Sequence, residues 1–221
     1  MALSLTTKRT MRILDFDCEC RPLSWYGGDW VTKEVTAISW AWIDLANPRK
    51  AKGKITSVCL GEPHDPTPEN WADLNSPRWT VAEMLEAFLE AYRQADIVTG
   101  HYIRGFDLGL LNGALMENGL PLLRSTLAQD TKGDLARFNG LSKSQENLGG
   151  LLGLSHPKVG MNQQDWRDAN RLTPEGIQRS RKRVVGDVAQ HIEMRAVLLE
   201  RGVLSEPGPW SGHDPLTDYA P

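Results

Sequence analysis

The feature that most constrains the fold is a set of three runs rich in β-branched and aromatic residues near the start of the chain. The runs cover residues 12–20, 35–43 and 54–60. Residues of these types are typical of strands. The connections between the runs are too short for crossover helices, whereas antiparallel neighbours need only a turn. The sequence therefore predicts an antiparallel meander of three strands.

Beyond the meander, helices and short strands alternate. Thr80 and Glu83 have the spacing of a capping box, and apolar residues then recur at helical spacing as far as Tyr92. The further predicted elements are a strand at 96–100, a helix at 106–117, a strand ending near Asp130, a helix at 145–152, a helical segment from Thr173 and a long helix from about 183 to 201. This order predicts an α/β fold, in which a mixed sheet of antiparallel and parallel strands is flanked by helices.

Other segments carry weaker patterns. Residues 61–78 and 154–172 show no clear periodicity and are predicted to be loops. The sequence contains no linker-like stretch before residue 205, so we expect one domain over 1–204. Residues 205–221 are rich in proline and glycine and are predicted to be a loose tail. The apolar stripe predicted for the last helix comprises Val184, Val188, Ile192 and Leu199.

Composition excludes some classes of protein. The net charge of −3 gives no general attraction to polyanions, so any surface for nucleic acid must be local. No run approaches the roughly 18 apolar residues of a membrane span, and we expect no membrane partner. Three cysteines offer neither a disulfide framework nor a zinc spacing. These features lead us to expect a protein of a reducing compartment, the cytoplasm.

The first predicted strand carries two carboxylates, Asp17 and Glu19, one residue apart. Alternation of side chains places both on the same face of a strand, with Cα atoms about 6.6 Å apart. Like charges this close repel unless a proton or cation lies between them, and a divalent ion with oxygen ligands is the usual solution. The alternative is a strand end whose acids face water, so the pair needs partners elsewhere in the chain.

Two further acids are placed where they could be those partners. Asp107 follows a predicted strand at the start of a helix, where the helix N-terminus favours negative charge even without a function. Asp187 lies early in the apolar-striped last helix, where an acid is usually solvated. Their joint arrangement with Asp17 and Glu19, two on the first strand and one at each of two helices, makes a shared site a reasonable prediction.

This set resembles the DnaQ-like, or DEDD, 3′–5′ exonucleases of the ribonuclease H-like fold. The resemblance runs from about Met11 to Leu199. The second motif is especially similar to that of the proofreading domains of family B DNA polymerases. The three motifs are similar to Phe16-Asp17-Cys18-Glu19, to residues 100–111 around Phe106-Asp107, and to Gly186-Asp187-Val188. Asp130-Thr131 and the helix start at 144–148 also resemble segments that lie between the second and third motifs.

The resemblance implies that Asp17, Glu19 and Asp187 hold one divalent ion, and that Asp17 and a water bound by Asp107 hold a second. Carboxylates and waters suit Mg²⁺ or Mn²⁺ rather than zinc. Two such ions about 3.5–4 Å apart neutralise charge on the phosphate, activate the attacking water and stabilise the leaving oxygen, as phosphodiester hydrolysis requires. The implied activity is therefore removal of nucleotides from the 3′ ends of single-stranded nucleic acid, with DNA favoured over RNA.

The sequence departs from the family at the general base. The family has Tyr four residues, or His five residues, before the final Asp, whereas this chain has Arg183 and Lys182 there. Neither is a plausible base. His191, one turn after Asp187, is the candidate base, with packing under the sheet as the alternative; His101 and His156 are further candidates.

The candidate substrate contacts are a separate set. Tyr102 stands where the polymerase-type motif has Asn, so the way the chain positions nucleic acid differs from the family. Lys182 and Arg183 are candidate phosphate contacts or part of a solvated helix face. Trp25, Tyr26 and Trp30 are expected to cover the sheet edge, with base stacking as the alternative. The candidate substrate-binding residues at the predicted site are Tyr102, Phe106, Lys182 and Arg183.

Other functions remain open at this point. The missing base favours a non-catalytic nucleic-acid-binding module that kept the fold and the acids. An endonuclease of the same fold is a third possibility. A small stand-alone nuclease of this kind would suit a phage or bacterial genome.

Overall fold

The computed structural model describes residues 10–24 and 31–213. The aromatic residues Trp25, Tyr26 and Trp30 lie outside the described residues, as do residues 1–9 and 214–221.

Six strands form one mixed sheet in the order β3-β2-β1-β4-β5-β6. The pairs β1–β2, β2–β3 and β5–β6 are antiparallel, whereas β1–β4 and β4–β5 are parallel. The predicted meander and the predicted α/β class are therefore confirmed. The strands are β1 (Ile13–Ser24), β2 (Val31–Trp42), β3 (Thr56–Cys59), β4 (Ile97–Gly100), β5 (Thr126–Asp130) and β6 (Gly208–Trp210).

Seven α-helices are described beside the sheet. Thr80 and Glu83 form the predicted capping box at the start of α2, and Gly119 and Gly153 have the expected left-handed conformation after α3 and α5. The helices are α1 (Pro68–Ala72), α2 (Val81–Arg93), α3 (Asp107–Glu117), α4 (Thr131–Asp134), α5 (Gln145–Leu152), α6 (Gln163–Asn170) and α7 (Pro174–Glu200). A 3₁₀ turn at Leu135–Arg137 follows α4.

Several predicted boundaries are wrong. The first hairpin is longer than predicted, because pairing continues past Arg21 and Glu34, which form an ion pair of 2.6 Å across the two strands. The predicted loops 61–78 and 154–172 contain α1 and α6. The two helical segments predicted from Thr173 are the single helix α7. The predicted tail is not loose throughout, because β6 pairs with β5.

The stripe predicted for α7 is correct except at its end. Val184, Val188 and Ile192 are buried, but Leu199 is 41% exposed and Leu198 is buried in its place. Leu199 stays within about 20° of the direction of Ile192 on the helix, but the last turns of α7 pack through Met194 and Leu198 against Leu135 and Leu148 instead. No helix among residues 10–24 and 31–213 is both long and apolar enough to cross a membrane.

The alternation of β1 determines where the site lies. Phe16 packs into the main core, with its ring 5.1 Å from that of Phe88 in α2. Ile13 lies on the opposite face and packs with Val188 of α7. Side chains at odd positions of β1 therefore face α7. The acidic side chains on this face are Asp15, Asp17 and Glu19.

Candidate metal site

Three carboxylates converge between β1 and α7. Asp17, Glu19 and Asp187 each offer one oxygen, and these oxygens all lie within 4.8 Å of one another. Strand alternation supplies the first two, and packing of α7 on the sheet brings the third from 168 residues further along the chain. The structure thus joins acids from the first and third predicted motifs.

The donor set fits a hard divalent cation. Asp187 is 3% exposed, and its Oδ1 atom is buried without a hydrogen-bond partner. A buried carboxylate oxygen without a partner is costly, and a cation at this position would satisfy it. An all-carboxylate set favours Mg²⁺ or Mn²⁺ over zinc. Asp17, Glu19 and Asp187 are therefore the residues that would hold such an ion.

Two basic side chains contact this group. Lys158 Nζ lies 3.1 Å from Asp187 Oδ2. Arg183 Nε donates a hydrogen bond of 2.5 Å to Glu19 Oε1 and lies 3.9 Å from Asp187 Oδ2. The guanidinium of Arg183 is also 5.2 Å from the centre of the Trp166 ring. The two cations therefore offset part of the negative charge of the three acids.

The offset is incomplete. Burial raises the pKa of Asp17 well above its usual value, and repulsion from Asp107, Asp187 and Glu19 raises this pKa further. Burial also raises the pKa of Glu19, although Arg183 opposes this rise. Ionised Asp17 and Glu19 are thus held against their preference, and binding of a divalent cation would relieve the repulsion.

Asp107 lies at the edge of β1 that pairs with β4. The parallel pairing of β1 with β4 ends at Asp15 and Thr99, so the edge of β1 is open at Cys18. Asp107 Oδ1 accepts hydrogen bonds from the Cys18 backbone N–H at 3.2 Å and from its thiol at 2.9 Å. Burial raises the pKa of Asp107 to about 6. Asp107 is not one of the three acids that share the 4.8 Å grouping, and a role through water stays a prediction.

A glycine allows α3 to start this close. A Cβ atom on Gly100 would lie 2.3 Å from Ile103 and 2.7 Å from the Phe16 carbonyl oxygen. Only glycine fits between β1 and the turn that leads to Asp107. Close packing thus explains why the second motif has glycine at position 100.

His191 does not face the carboxylate group as the prediction of a general base requires. Its Nδ1 atom lies 2.5 Å from Asp15 Oδ2, and its Nε2 atom lies 3.0 Å from Thr131 Oγ1. His191 is 2% exposed. Both ring nitrogens are therefore engaged in buried hydrogen bonds, and neither is left to accept a proton from water.

The other candidate histidines are engaged as well. His101 bonds to Thr131 Oγ1 at 2.9 Å and to the Lys143 carbonyl at 2.8 Å. Exposed His156 pairs with Glu193 at 3.1 Å. Each has a structural role in the described chain.

The candidate substrate residues differ in their exposure and contacts. Tyr102 is 44% exposed and has a positive φ of 76°. Its backbone N–H donates to Asp130 Oδ1 at 2.9 Å, and Lys132 Nζ lies 3.8 Å from the centre of its ring. Phe106 is half-buried beneath Lys33, whose Nζ lies 4.7 Å from the ring centre. Lys182 is exposed.

Two site residues were missed by sequence reasoning. Asp15 shares the face of Asp17, and the period-two pattern Asp15-x-Asp17-x-Glu19 contains that signal. Lys158 lies in a loop without periodicity, and nothing in its surroundings in the sequence predicts its contact with Asp187.

Comparisons with known proteins bear on the fold. No family model and no curated protein matches the chain. Among solved structures, the family B DNA polymerase from the hyperthermophilic archaeon Pyrobaculum calidifontis matches with a TM-score of 0.62 and 14% sequence identity. The match covers 88% of this chain and 25% of the polymerase, so the chain spans about a quarter of its length. At this identity the likeness shows a shared fold, in agreement with the predicted ribonuclease H-like architecture.

Proposed function

We propose that this protein is a metal-dependent 3′–5′ exonuclease that hydrolyses phosphodiester bonds of single-stranded nucleic acid, with DNA as the favoured substrate. The observation that carries the proposal is the convergence of Asp17, Glu19 and Asp187, with a buried oxygen of Asp187 left without a partner. The fold shared with a DNA polymerase supports a function on nucleic acid.

The chemistry of the donor set is consistent with this reaction. Bound Mg²⁺ or Mn²⁺ ions neutralise charge on the phosphate and lower the pKa of water. The carboxylates hold and orient these ions, and Asp107 would bind a second ion through water, since its pKa of about 6 leaves it ionised at neutral pH. His101, His156 and His191 are engaged elsewhere in the described part of the chain, and we assign no side chain as general base.

The surroundings of the site suit a flexible single strand. Three aromatic rings lie against basic side chains; Tyr102 is exposed, and Phe106 and Trp166 are partly exposed. Accessible aromatic rings with neighbouring cations stack bases and contact phosphates without reading sequence. These pairs are Tyr102 with Lys132, Phe106 with Lys33, and Trp166 with Arg183. They provide a local basic surface on a chain whose net charge is −3.

The test is hydrolysis of a 5′-labelled single-stranded DNA oligonucleotide in Mg²⁺ or Mn²⁺, with EDTA as the metal-free control. We expect a ladder that shortens stepwise from the 3′ end. We expect Asp17→Asn to lose at least a hundredfold in rate because one ligand loses its charge. Asp65→Asn, a change of the same chemistry at an exposed acid, should keep full activity. Equal rates in Asp17→Asn and the wild-type chain would reject the proposal.

Circular single-stranded DNA separates the exonuclease from an endonuclease. An exonuclease leaves the circle intact because it needs an end. Linearisation of the circle in a metal-dependent manner would replace the proposal with an endonuclease of the same fold. An RNA oligonucleotide of the same sequence tests the preference for DNA.

A second candidate is a nucleic-acid-binding module without catalysis. The specific observation in its favour is Arg183, which occupies the family position of the base and instead pairs with Glu19. Binding of labelled single strands with no turnover in Mn²⁺ would favour this module over the enzyme.

A further inference from the structure

Strand β1 and helix α7 run antiparallel and contact each other at three successive levels, which we name the β1–α7 ladder. Two residues of a strand advance about 6.6 Å, and four residues of a helix advance about 6 Å, so contacts at these intervals stay aligned. The three levels are Asp15 with His191, Asp17 with Asp187, and Glu19 with Arg183.

The charges of the ladder differ between its levels. The outer levels join a carboxylate to a basic group, with contacts of 2.5 Å at each end. The middle level joins Asp17 to Asp187, two carboxylates that repel each other. The outer contacts therefore hold the strand and helix together where the middle level would separate them.

The His191 end of the ladder continues into a buried chain of hydrogen bonds. His101 Nε2 faces the Lys143 carbonyl, which only accepts, so Nε2 donates. Burial lowers the pKa of His101 to about 4, so the ring is neutral and its Nδ1 atom accepts from the Thr131 hydroxyl. The Thr131 oxygen then accepts from His191 Nε2. This order fixes the His191 ring and directs Nδ1 at Asp15.

We propose that His191 is a positioning residue for the metal site. Through Asp15 at one side and Thr131 at the other, it fixes the rotation and height of α7 on β1, and thereby the distance between the carboxylates of Asp17 and Asp187. Groups that hydrogen-bond to metal ligands typically contribute about ten- to a hundredfold in metal affinity, and we expect an effect of this order from a residue that sets the spacing of the ligands. This inference rests on the proposed metal site and not on hydrolysis itself.

The test measures the affinity of the folded chain for Mn²⁺, from the electron paramagnetic resonance signal of the free ion. We expect His191→Gln to weaken Mn²⁺ binding about ten- to a hundredfold. Loss of charge cannot produce this result, because replacing the histidine never makes the site less negative. A charge effect alone would leave binding unchanged or make it tighter, so the sign of the change separates positioning from electrostatics.

Two control variants separate an effect on the position of α7 from an effect on the stability of the protein. Leu85→Ala removes core packing in α2, on the face of the sheet opposite the ladder, and should lower the melting temperature while leaving Mn²⁺ affinity unchanged. His64→Gln replaces an exposed histidine outside the ladder and should leave Mn²⁺ affinity unchanged. If His191→Gln does not fold, Thr131→Val removes the acceptor of the His191 Nε2 proton and should weaken Mn²⁺ binding in the same direction.

The outcomes separate the two proposals. An affinity within twofold of wild type in a folded His191→Gln, or in Thr131→Val if His191→Gln fails to fold, overturns the positioning role and leaves the nuclease proposal intact. No Mn²⁺ binding by the wild-type chain overturns both. Weakening in Leu85→Ala equal to that in His191→Gln also overturns the positioning role, since metal affinity would then follow stability alone.

Discussion

Replacement of Asp107 by Asn should stabilise the metal-free protein. Asp107 is 3% exposed, and burial raises its pKa from 3.8 to about 6. The folded chain therefore pays for keeping this carboxyl ionised at neutral pH. An asparagine Oδ1 can still accept from the Cys18 N–H and thiol, so the change removes the charge and keeps the hydrogen bonds.

The magnitude follows from the two pKa values. Above pH 6 the penalty is complete and amounts to about 3 kcal/mol. It shrinks to roughly half of this value at pH 5 and vanishes well below pH 3.8, where the carboxyl is protonated in both states. The gain of Asp107→Asn over wild type must therefore fall as the pH falls. For a chain of this size a gain of about 3 kcal/mol raises the melting temperature by roughly 6–12 °C.

The assay is urea unfolding in EDTA at pH 7.5 and pH 5, with wild type and variant compared at each pH. The titratable groups that interact with Asp107 are Asp17, Asp130, Cys18 and Cys20, and they are present in both proteins. Asp65→Asn serves as the exposed control and should have no effect at either pH. The reasoning is refuted if Asp107→Asn is less stable than wild type at pH 7.5, or if its gain is the same at both pH values.

Three further predictions concern packing and charge. Gly176→Ala should destabilise the fold by about 1–3 kcal/mol, measured by urea unfolding, because the new Cβ would lie 2.2 Å from the backbone of Asp168; unchanged stability would contradict the close approach of α6 and α7. Arg181→Ala should cost about 3 kcal/mol, since buried Glu62 loses its cationic partner, and the loss should be smaller in Arg181→Ala/Glu62→Gln than in the single variant. Lys158→Met should tighten Mn²⁺ binding about tenfold, because a cation next to the carboxylates no longer competes with the ion; weaker binding would show that this lysine supports the site.

Local signals predicted most of the fold. The capping box at Thr80 and the left-handed glycines mark helix ends with groups that lie next to each other in sequence, so no knowledge of distant contacts is needed. Helix α6 was missed although Asn162 and Asp165 form a capping box, because only Ala169 in this helix is buried and the apolar period is absent. Strand β6 has three residues, one of them Pro209, and depends on β5 for its pairing.

The candidate site could be predicted only in part, because several of its contacts join residues that are far apart in the sequence. The common face of Asp17 and Glu19 follows from strand geometry alone. The partners of His191 do not, because Asp15 and Thr131 lie 176 and 60 residues away in the chain. Spacing on α7 placed His191 one turn from Asp187 but could not reveal that both of its nitrogens are bonded elsewhere.

Strand β6 has a consequence for anyone shortening this chain. Arg104, in the turn before α3, donates to the carbonyl oxygens of Gly208 at 2.6 Å and Pro209 at 3.0 Å. Truncation at residue 204 would remove these acceptors from the turn that leads to Asp107. It would also leave β5 as a bare sheet edge with Leu127 already 41% exposed, which is a template for self-association. A truncated protein that aggregates or loses activity would therefore say nothing against the carboxylates themselves.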